Sequence, residues 1–335
     1  MAQSQTFRAW MVDRSGNDFL MEWKELTLED LPEGDVLVKV EYSGVNYKDG
    51  LASIPHGRVI ESYPMIPGID LAGQVVQSRD DRFPEGMDVI VASSQLGVSH
   101  YGGFSRYARV PADWVVPLPE GLTLKEAMVL GTAGFTAAMS VLRMEENGLK
   151  PDNGPVLVTG ATGGVGSTAI AILSKKGYTV AASTGKEEAH EYLRELGAVE
   201  ILGRQEVKPD PSRPLARARW AGAVDPVGGD TLSYLLSTTR FGGSVAVSGL
   251  TGGTSLSTTV FPFILRGINL LGIDSAHVSN ETRRNIWGRL AADLKPESLQ
   301  ERIGTREIPL EALPETLSAI LQGEVRGRTV VKLSE

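Results

Sequence analysis

The 335-residue chain contains no cysteine. This absence excludes disulfide bonds, thiolate zinc sites and thiol nucleophiles, and it fits a protein that works in a reducing compartment. Histidine is also scarce, and the four that are present are too widely separated to show a metal-ligand spacing: His56, His100, His190 and His277. We therefore expect no metal site, and each histidine is expected to be a surface or loop residue.

The chain also lacks the features of a membrane, secreted or nucleic-acid-binding protein. No apolar stretch approaches the length of a membrane span, and the amino terminus, MAQSQTFRAWMV, lacks the basic region and apolar core of a signal peptide. The net charge is −8 and no lysine- or arginine-rich block occurs, so neither nucleic acid nor a membrane is an expected partner. We expect a cytoplasmic protein, long enough for two domains, that acts on a small molecule.

The most informative segment is VLVTGATGGVG, at positions 156–166. A short apolar strand precedes a glycine-rich turn, and the composition of 167–173 is that of a helix packed on a sheet. The glycines remove the Cβ atoms that would block a pyrophosphate, and the N–H groups at a helix start complement its negative charge. This pattern predicts dinucleotide binding, while a tight turn without a ligand is the alternative.

The next predicted strand, 178–183, indicates which dinucleotide is bound. An NAD site usually ends this strand with Asp or Glu, which binds the ribose 2′-hydroxyl. Here the strand runs into Ser183-Thr184-Gly185-Lys186. Hydroxyl groups and an ammonium suit a 2′-phosphate, so we expect NADPH; the alternative is that Lys186 is an ordinary solvated lysine.

The order of patterns along the chain predicts two kinds of domain. The first 120 residues alternate short β-like runs with Gly, Pro and Asp turns, whereas 123–144 reads as a helix that starts with a Thr123–Glu126 capping box. The next segments predict a doubly wound parallel sheet with strands at 156–159, 178–183, 199–202, 221–226, 243–248 and 268–273. The tail returns to β-like pieces, so we predict a discontinuous β-barrel domain, 1–122 with 296–335, and a Rossmann domain, 123–295.

Several motifs resemble one known family, and they span nearly the whole chain. They are SGVNYKDGLA (43–52), YPMIPGIDLAG (63–73), GTAGFTAA (131–138), VTGATGGVGSTA (158–169), AGAVDPVGG (221–229), VAVSGLTGG (245–253), FPFILRG (261–267) and GRTVVKL (327–333). The chain resembles the zinc-independent, quinone-oxidoreductase-like branch of the medium-chain dehydrogenase/reductase superfamily, and within it the YhdH/YhfP-type acrylyl-CoA reductases.

This resemblance implies a GroES-like β domain that holds the substrate, a Rossmann domain that holds NADPH, and a homo-dimer. It also implies cofactor contacts from Tyr47, Thr162, Gly163, Gly164, Val165, Thr184, Gly185, Lys186, Arg204, Leu250, Ile264, Ser275 and Arg328. For Arg204 and Arg328, the residues alone leave a solvated surface arginine as the alternative.

Two further residues are expected to contact the cofactor because of where they lie along the predicted helices and strands. Thr132 lies among small residues on the helix before the Rossmann unit, where contact with the nicotinamide and plain helix packing are equal alternatives. Ser248 ends the fifth Rossmann strand, and the carboxyl ends of such strands face the ligand. A structural turn is the alternative for Ser248.

The expected chemistry follows from the lack of zinc-ligating residues in the sequence. Zinc members of the superfamily carry a Gly-His-Glu turn, but this chain has Gly68-Ile69-Asp70 there. Without a metal to polarise an alcohol, we expect reduction of a C=C bond conjugated to a carbonyl, as in an acrylyl-CoA-like enoyl thioester. A quinone or enone reductase and a non-catalytic, NADPH-binding redox sensor are the alternatives.

None of the eight tyrosines precedes a lysine by four residues, which excludes the short-chain dehydrogenase arrangement.

The segment Asn46-Tyr47-Lys48-Asp49 supplies the candidate catalytic residues. Tyr47 is expected to donate a hydrogen bond to the nicotinamide ribose or a proton to the substrate. Asn46 is expected to orient the carbonyl or the cofactor, and Asp49 to hold the loop. A packed loop tyrosine with Asp49 as a turn residue is the alternative.

Overall fold

The computed structural model describes residues 6–16, 18–210, 212–297, 299–304 and 306–334. The chain divides into two compact units. The first unit runs to Thr132 and adds Ser275–Ala291 and the chain from Gly304; the second comprises Ala133–Asp274 and Ala292–Ile303. This division does not coincide with the boundaries predicted at 122 and 296, and the functional domain limits stay a prediction. Residues 1–5, 17, 298, 305 and 335 of the predicted β domain lie outside the described residues, as does residue 211 of the predicted Rossmann domain.

Fifteen strands are present in the described residues: β1 (Thr6–Ser15), β2 (Asp18–Thr27), β3 (Val36–Gly44), β4 (Asp70–Ser78), β5 (Asp88–Ala92), β6 (Tyr107–Val110), β7 (Val116–Pro117), β8 (Val156–Val158), β9 (Val180–Ser183), β10 (Ala198–Leu202), β11 (Trp220–Asp225), β12 (Thr239–Val247), β13 (Asn269–Gly272), β14 (Arg306–Pro309) and β15 (Thr329–Lys332). The α-helices are α1 (Tyr47–Ala52), α2 (Leu124–Glu146), α3 (Gly164–Lys175), α4 (His190–Glu195), α5 (Gly229–Thr238), α6 (Phe261–Arg266), α7 (Asn280–Ala291) and α8 (Leu313–Leu321).

The first unit is built on β-sheet. Strands β1 and β2 form a hairpin, and a larger sheet has the order β14-β15-β3-β4-β5-β7 with β6 paired to β3. Val36, Val38 and Val40, which alternate along β3, are buried in a core that also contains Phe104. Because β15 pairs antiparallel with β3, the carboxyl-terminal strand lies in the same sheet as the amino-terminal region.

The second unit contains a six-stranded parallel sheet with the order β10-β9-β8-β11-β12-β13. The strand order reverses between β8 and β11, as in a doubly wound nucleotide-binding fold, so the predicted fold class is confirmed. Strand β12 begins at Thr239 and not at the predicted 243. The glycines at 242 and 243 look like a turn in the sequence, but the strand passes through them with an irregular register against β11.

Helix α2 confirms the predicted helix and contains a sharp break. Gly131 has φ +50° and ψ −156°, outside the helical range. A Cβ atom there would lie 2.5 Å from Asp70 Oδ2 and 2.6 Å from Arg328 Nη2. Glycine is therefore required both by the backbone conformation and by the close approach of two charged side chains.

The same helix corrects one expectation from the sequence. By length and composition α2 is long and apolar enough to cross a membrane, so the statement that no apolar stretch approaches that length is wrong. However, 83% of its most apolar window is buried inside the protein. A core helix of a globular protein meets the same criteria, since its apolar residues pack against other protein elements.

Candidate active site and cofactor-binding residues

The glycine-rich loop after β8 is shaped for close approach of a ligand. Gly160 has φ +52°, and a Cβ atom on Gly166 would lie 2.4 Å from the carbonyl oxygen of Gly160. Helix α3 then starts at Gly164, and its first N–H groups have no intrahelical acceptors. Thr162, Gly163, Gly164 and Val165 therefore form the turn and the helix start, an arrangement that fits a dinucleotide pyrophosphate.

The ends of β9 and β10 bring together the residues predicted to bind a 2′-phosphate. Thr184 is buried; its N–H donates to Leu202 O at 3.0 Å, and its Oγ1 accepts the N–H of Lys186 at 3.1 Å. The side chain of Arg204 packs over Gly185 so closely that a Cβ atom there would lie 2.6 Å from Arg204 Nε. Lys186 and Arg204 thus follow the carboxyl ends of neighbouring strands, close to the Thr184 hydroxyl, an arrangement that fits a phosphate monoester.

A buried carboxyl group ties the neighbouring strands β8 and β11 together. Asp225 Oδ1 accepts the hydroxyl of Thr159 at 2.5 Å, and the Asp225 carboxyl also accepts the N–H groups of Val227 and Gly228, each at 3.1 Å. Burial raises the pKa of Asp225 above its usual value. Asp225 was assigned no role from the sequence, although an acidic residue at the end of an otherwise apolar strand was a visible signal.

The other predicted residues of the second unit are Ser248, whose hydroxyl is buried, and Leu250 and Ile264, whose side chains are exposed. Ser248 follows β12, and its Oγ is buried with no hydrogen-bond partner among the described residues. A buried hydroxyl without a partner at the carboxyl end of a strand is compatible with a ligand contact. The side chains of Leu250 and Ile264 are 53% and 68% exposed, and the described contacts do not join them to the phosphate-binding residues.

In the first unit, the predicted catalytic segment forms the start of α1. The N–H of Asn46 donates to Asp49 Oδ2 at 2.8 Å, and the N–H of Ile69 donates to Asp49 Oδ1 at 2.9 Å. Asn46 and Asp49 are both buried, whereas Tyr47, the first residue of the helix, is half-buried. Asp49 therefore ties α1 to the turn before β4 and leaves Tyr47 at the helix start.

A second carboxylate, Asp70, lies beside this segment. Its side chain accepts Asn46 Nδ2 at 2.7 Å, the N–H of Thr132 at 3.0 Å and the hydroxyl of Thr132 at 2.6 Å. Arg328 Nη2 lies 3.5 Å from Asp70 Oδ2, and both side chains are almost fully buried. Asp70 therefore connects the start of α1, the break in α2 and the carboxyl-terminal strand.

The predicted cofactor residue Arg328 is enclosed in the first unit. Its Nε donates to Val129 O at 3.0 Å, and its Nη1 donates to Val45 O and to Asn46 Oδ1, each at 2.8 Å. Burial lowers the pKa of Arg328, and Asp70 opposes that effect. These contacts support a structural role, and cofactor binding by Arg328 stays a prediction.

Burial also changes the titration of Asp49. Loss of hydration, with a smaller contribution from the charge of Asp70, raises the pKa of Asp49 to about 7. The hydrogen bonds from the N–H groups of Asn46 and Ile69 act in the opposite direction. Burial, more than the nearby charge of Asp70, therefore makes Asp49 a group that titrates near neutral pH.

Ser93, which the sequence analysis did not identify, joins two of the predicted cofactor residues. Its Oγ lies 2.8 Å from Thr132 Oγ1 and 3.5 Å from Ser275 Oγ. Ser93 follows β5 with φ +63°, a conformation that is uncommon for a residue other than glycine. Only that dihedral angle and the long-range contacts reveal Ser93, and no local sequence motif marks it.

The turn that would hold a zinc-ligating histidine in related enzymes has an apolar side chain here. Ile69 is buried, and its N–H contacts Asp49. Within the described ranges, no group of three or more His, Cys, Asp or Glu side chains is arranged to hold a metal ion. The four histidines enter no such group.

Comparisons with known proteins agree with this two-part organisation. Residues 32–120 match the family described as "Alcohol dehydrogenase GroES-like domain", and residues 164–292 match "Zinc-binding dehydrogenase". YhfP of Bacillus subtilis, provisionally named a quinone oxidoreductase, is 54% identical over 98% of this chain and 100% of its own length. The acrylyl-CoA reductase AcuI of Ruegeria pomeroyi is 50% identical over 93% of this chain and 94% of its own.

Solved structures show the same similarity over the whole chain. The crystal structure of Bacillus subtilis YhfP with NAD bound has a TM-score of 0.95 and covers 98% of this chain and 100% of that one. The YhdH oxidoreductase of Salmonella enterica in complex with NADP is 46% identical, with a TM-score of 0.94 and the same coverage. The chain therefore belongs to the quinone-oxidoreductase-like branch of the medium-chain dehydrogenase/reductase superfamily, together with the YhfP, YhdH and AcuI proteins.

Proposed function

We propose that this protein is a zinc-independent, NADPH-dependent reductase of activated C=C bonds, with an acrylyl-CoA-like enoyl thioester as its substrate. One observation carries the proposal. A glycine-rich turn that fits a pyrophosphate and a group of residues that fits a 2′-phosphate lie at neighbouring strand ends, in a chain that is 50% identical to an acrylyl-CoA reductase. Fold alone would not support a substrate, since this fold serves many reactions.

The choice of NADPH rests on Lys186, Arg204 and Thr184. Their two positive charges and one hydroxyl favour a 2′-phosphate over a free 2′-hydroxyl. The relative YhdH was crystallised with NADP, but YhfP was crystallised with NAD, so NADH is the cofactor against which NADPH must be compared. The residues of the glycine-rich turn serve both cofactors, since both contain the pyrophosphate.

The proposed chemistry assigns different tasks to the residues near α1. When bound, NADPH supplies the hydride that adds to the β carbon of the substrate. The thioester carbonyl spreads the resulting negative charge, and the α carbon then takes a proton. Asn46 and Asp49 position Tyr47 at the helix start, and the Tyr47 hydroxyl donates a hydrogen bond to the cofactor ribose or a proton to the substrate.

A quinone is the second candidate substrate, and the provisional name of the 54% identical YhfP favours it. The same hydride donor and the same residues would serve both substrates. The two substrates differ in the number of contacts that the protein can make to them, because a CoA thioester carries a long phosphorylated group and a small quinone does not. The substrate preference is therefore a question for kinetics.

We also propose a homo-dimer that forms through the second unit. Strand β13 is at the edge of the six-stranded sheet, and its Leu270 is exposed. In the neighbouring helix α6, Phe261, Ile264 and Leu265 are 44%, 68% and 57% exposed. A strand edge that pairs with no other described strand, beside exposed apolar side chains, is a surface that a second copy would cover.

The remaining proposals concern location and domain roles. A cytoplasmic location and the lack of a nucleic-acid or membrane partner are proposed from the absence of cysteine and of basic blocks. Residues 1–122 with 296–335 are proposed as the substrate domain, and 123–295 as the NADPH-binding domain. These assignments follow the sequence patterns and the family.

Kinetics with two substrates test the proposed function. Purified protein should oxidise NADPH with acrylyl-CoA, yield one propionyl-CoA per NADPH, and prefer acrylyl-CoA to a small quinone in kcat/KM. Exhaustive chelation should leave the rate unchanged, because no cysteine is available and Ile69 stands at the histidine position. Faster turnover of the quinone would favour the second candidate, and tight NADPH binding without turnover of either would indicate a redox sensor.

A further inference from the structure

A short chain of hydroxyl groups runs inward from Ser93 in the first unit. Ser93 Oγ lies 2.8 Å from Thr132 Oγ1, which in turn donates to Asp70 Oδ1 at 2.6 Å. The Thr132 hydroxyl has a single hydrogen, and it donates that hydrogen to Asp70. Toward Ser93, the Thr132 hydroxyl can therefore only accept a hydrogen bond. The hydrogen of the Ser93 hydroxyl therefore points toward Thr132. One lone pair of the Ser93 oxygen faces Ser275 Oγ at 3.5 Å, and the other is left for a further donor.

Asp70 fixes this direction. The described groups around its carboxylate are donors: Asn46 Nδ2 at 2.7 Å, the N–H of Thr132 at 3.0 Å and Arg328 Nη2 at 3.5 Å. With these donors directed at its oxygens, the Asp70 carboxyl group acts as the acceptor of the Thr132 hydroxyl. The hydroxyls of Ser93 and Thr132 therefore both donate toward Asp70, and the Ser93 oxygen is the atom that can accept a hydrogen bond from a ligand.

The backbone holds Ser93 in place at a conformational cost. Ser93 and the next residue, Ser94, have φ values of +63° and +55°. The guanidinium of Arg283 donates to Ala92 O at 2.7 Å, and the N–H of Ser93 donates to Ile69 O at 2.9 Å. Left-handed backbone at residues other than glycine persists where the surroundings enforce it, and such residues cluster at functional sites.

The polarity of Ser93 selects the kind of ligand group that it can bind. An enoyl thioester and an oxidised quinone present carbonyl oxygens at their reacting ends, and these are acceptors. The nicotinamide ring carries a carboxamide whose NH₂ is a donor. Thr132 and Ser275, which both contact Ser93, are predicted cofactor residues. The carboxamide NH₂ of the nicotinamide therefore matches both the place of Ser93 and its ability to accept a hydrogen bond.

We infer that Ser93 Oγ accepts a hydrogen bond from the carboxamide NH₂ of the bound nicotinamide. The bond restricts rotation of the carboxamide and thereby of the ring. This inference rests on the proposed NADPH-dependent function, and it assigns to Ser93 a binding role that the sequence motifs do not indicate. Asp70 and Thr132 act through Ser93 as positioning residues.

Binding of a modified cofactor tests the inference without an activity measurement. The 3-acetylpyridine analogue of NADP⁺ keeps the ring carbonyl and lacks the NH₂. Equilibrium titrations should give Kd values for NADP⁺ and for the analogue with wild-type protein and with Ser93→Ala. We expect Ser93→Ala to weaken NADP⁺ by about tenfold and the analogue hardly at all, since one hydrogen bond is lost in the first case only.

Companion variants make the result decisive. Ser93→Gly suits φ +63° and should behave like Ser93→Ala even if the alanine variant folds poorly. Thr132→Val frees the Ser93 hydroxyl to rotate and should also reduce the preference for NADP⁺ over the analogue, whereas Ser94→Ala should keep the wild-type preference. Equal weakening of both ligands in the Ser93 variants, or no weakening, would overturn the inference. Wild-type protein that fails to bind NADP⁺ at all would instead overturn the proposed function.

Discussion

At the residue scale, Tyr47 combines partial exposure with a firmly held backbone. It is the first residue of α1, directly after buried Asn46 and two residues before buried Asp49. We expect Tyr47→Phe to lower kcat/KM by at least a hundredfold if the hydroxyl transfers a proton, and by about tenfold or less if it only hydrogen-bonds the cofactor. The melting temperature should stay nearly unchanged, because the ring remains.

Steady-state kinetics and thermal unfolding of the same preparation check this prediction. Tyr101→Phe is the matched control, since Tyr101 is a partly buried tyrosine of the same unit that enters no proposed site. Wild-type kinetics in Tyr47→Phe would make Tyr47 a packing residue.

The pair Lys186 and Arg204 belongs to the same scale. Each charge-assisted hydrogen bond to a 2′-phosphate contributes about 1.5–3 kcal/mol, and solvent reduces this at partly exposed side chains. We expect Lys186→Ala and Arg204→Ala each to raise the Kd for NADPH about tenfold, at about 1.4 kcal/mol per tenfold change, and to leave NADH almost unaffected.

The control for this pair is Lys208→Ala, an exposed lysine of the same unit that is assigned no ligand. Titrations with both cofactors provide the measurement. If wild-type protein uses NADH as well as NADPH, or if both substitutions weaken the two cofactors equally, the 2′-phosphate site has been assigned to the wrong residues.

At the scale of secondary-structure elements, the break in α2 depends on a single glycine. A Cβ atom at Gly131 would contact Asp70 Oδ2 at 2.5 Å, and its φ of +50° disfavours any other residue. We expect Gly131→Ala to lower the free energy of unfolding by about 2 kcal/mol or more, because it combines backbone strain with a clash against buried charges.

Urea unfolding compares this variant with Gly288→Ala. Gly288 lies within helix α7, and a Cβ atom there meets nothing within 4 Å. That control should leave the stability unchanged or raise it by about 0.5–1 kcal/mol. Equal effects of the two substitutions would show that the contact with Asp70 does not matter for stability.

At the scale of the whole molecule, the exposed apolar side chains of α6 and β13 set the expected assembly. Leu265→Glu would place a charge in an apolar interface, so we expect the variant to be monomeric where the wild-type protein is dimeric. Light scattering across a concentration series is the measurement. Leu20→Glu is the control, because Leu20 is also 57% exposed but lies on β2 in the other unit. A monomeric wild-type protein would remove the dimer proposal.

Local patterns were enough to predict the folds of both units and one part of the site. Alternation of apolar residues predicts strands, and a strand, a glycine turn and a helix follow one another within a few residues at 156–175. Thr184, Gly185 and Lys186 were visible for the same reason, because they directly follow β9. The glycine-rich turn and the residues after β9 are local features, so the sequence alone indicated them, whereas the start of β12 at Thr239 was predicted wrongly.

Only the tertiary structure decided which distant residues meet. Arg328 reaches Asn46, 282 positions away, and Thr132 reaches Asp70, 62 positions away, because β15 pairs with β3 and α2 breaks at Gly131. Ser93 carries no motif of its own. Asp225 lies within the motif at 221–229, but its partner Thr159 comes from the segment after β8, which no local pattern indicates. Such contacts depend on how strands and helices pack, and the periodicity of a single segment carries no information about its partner. The sequence by itself therefore determined the glycine-rich turn between β8 and α3, while packing determined the buried network beside Tyr47.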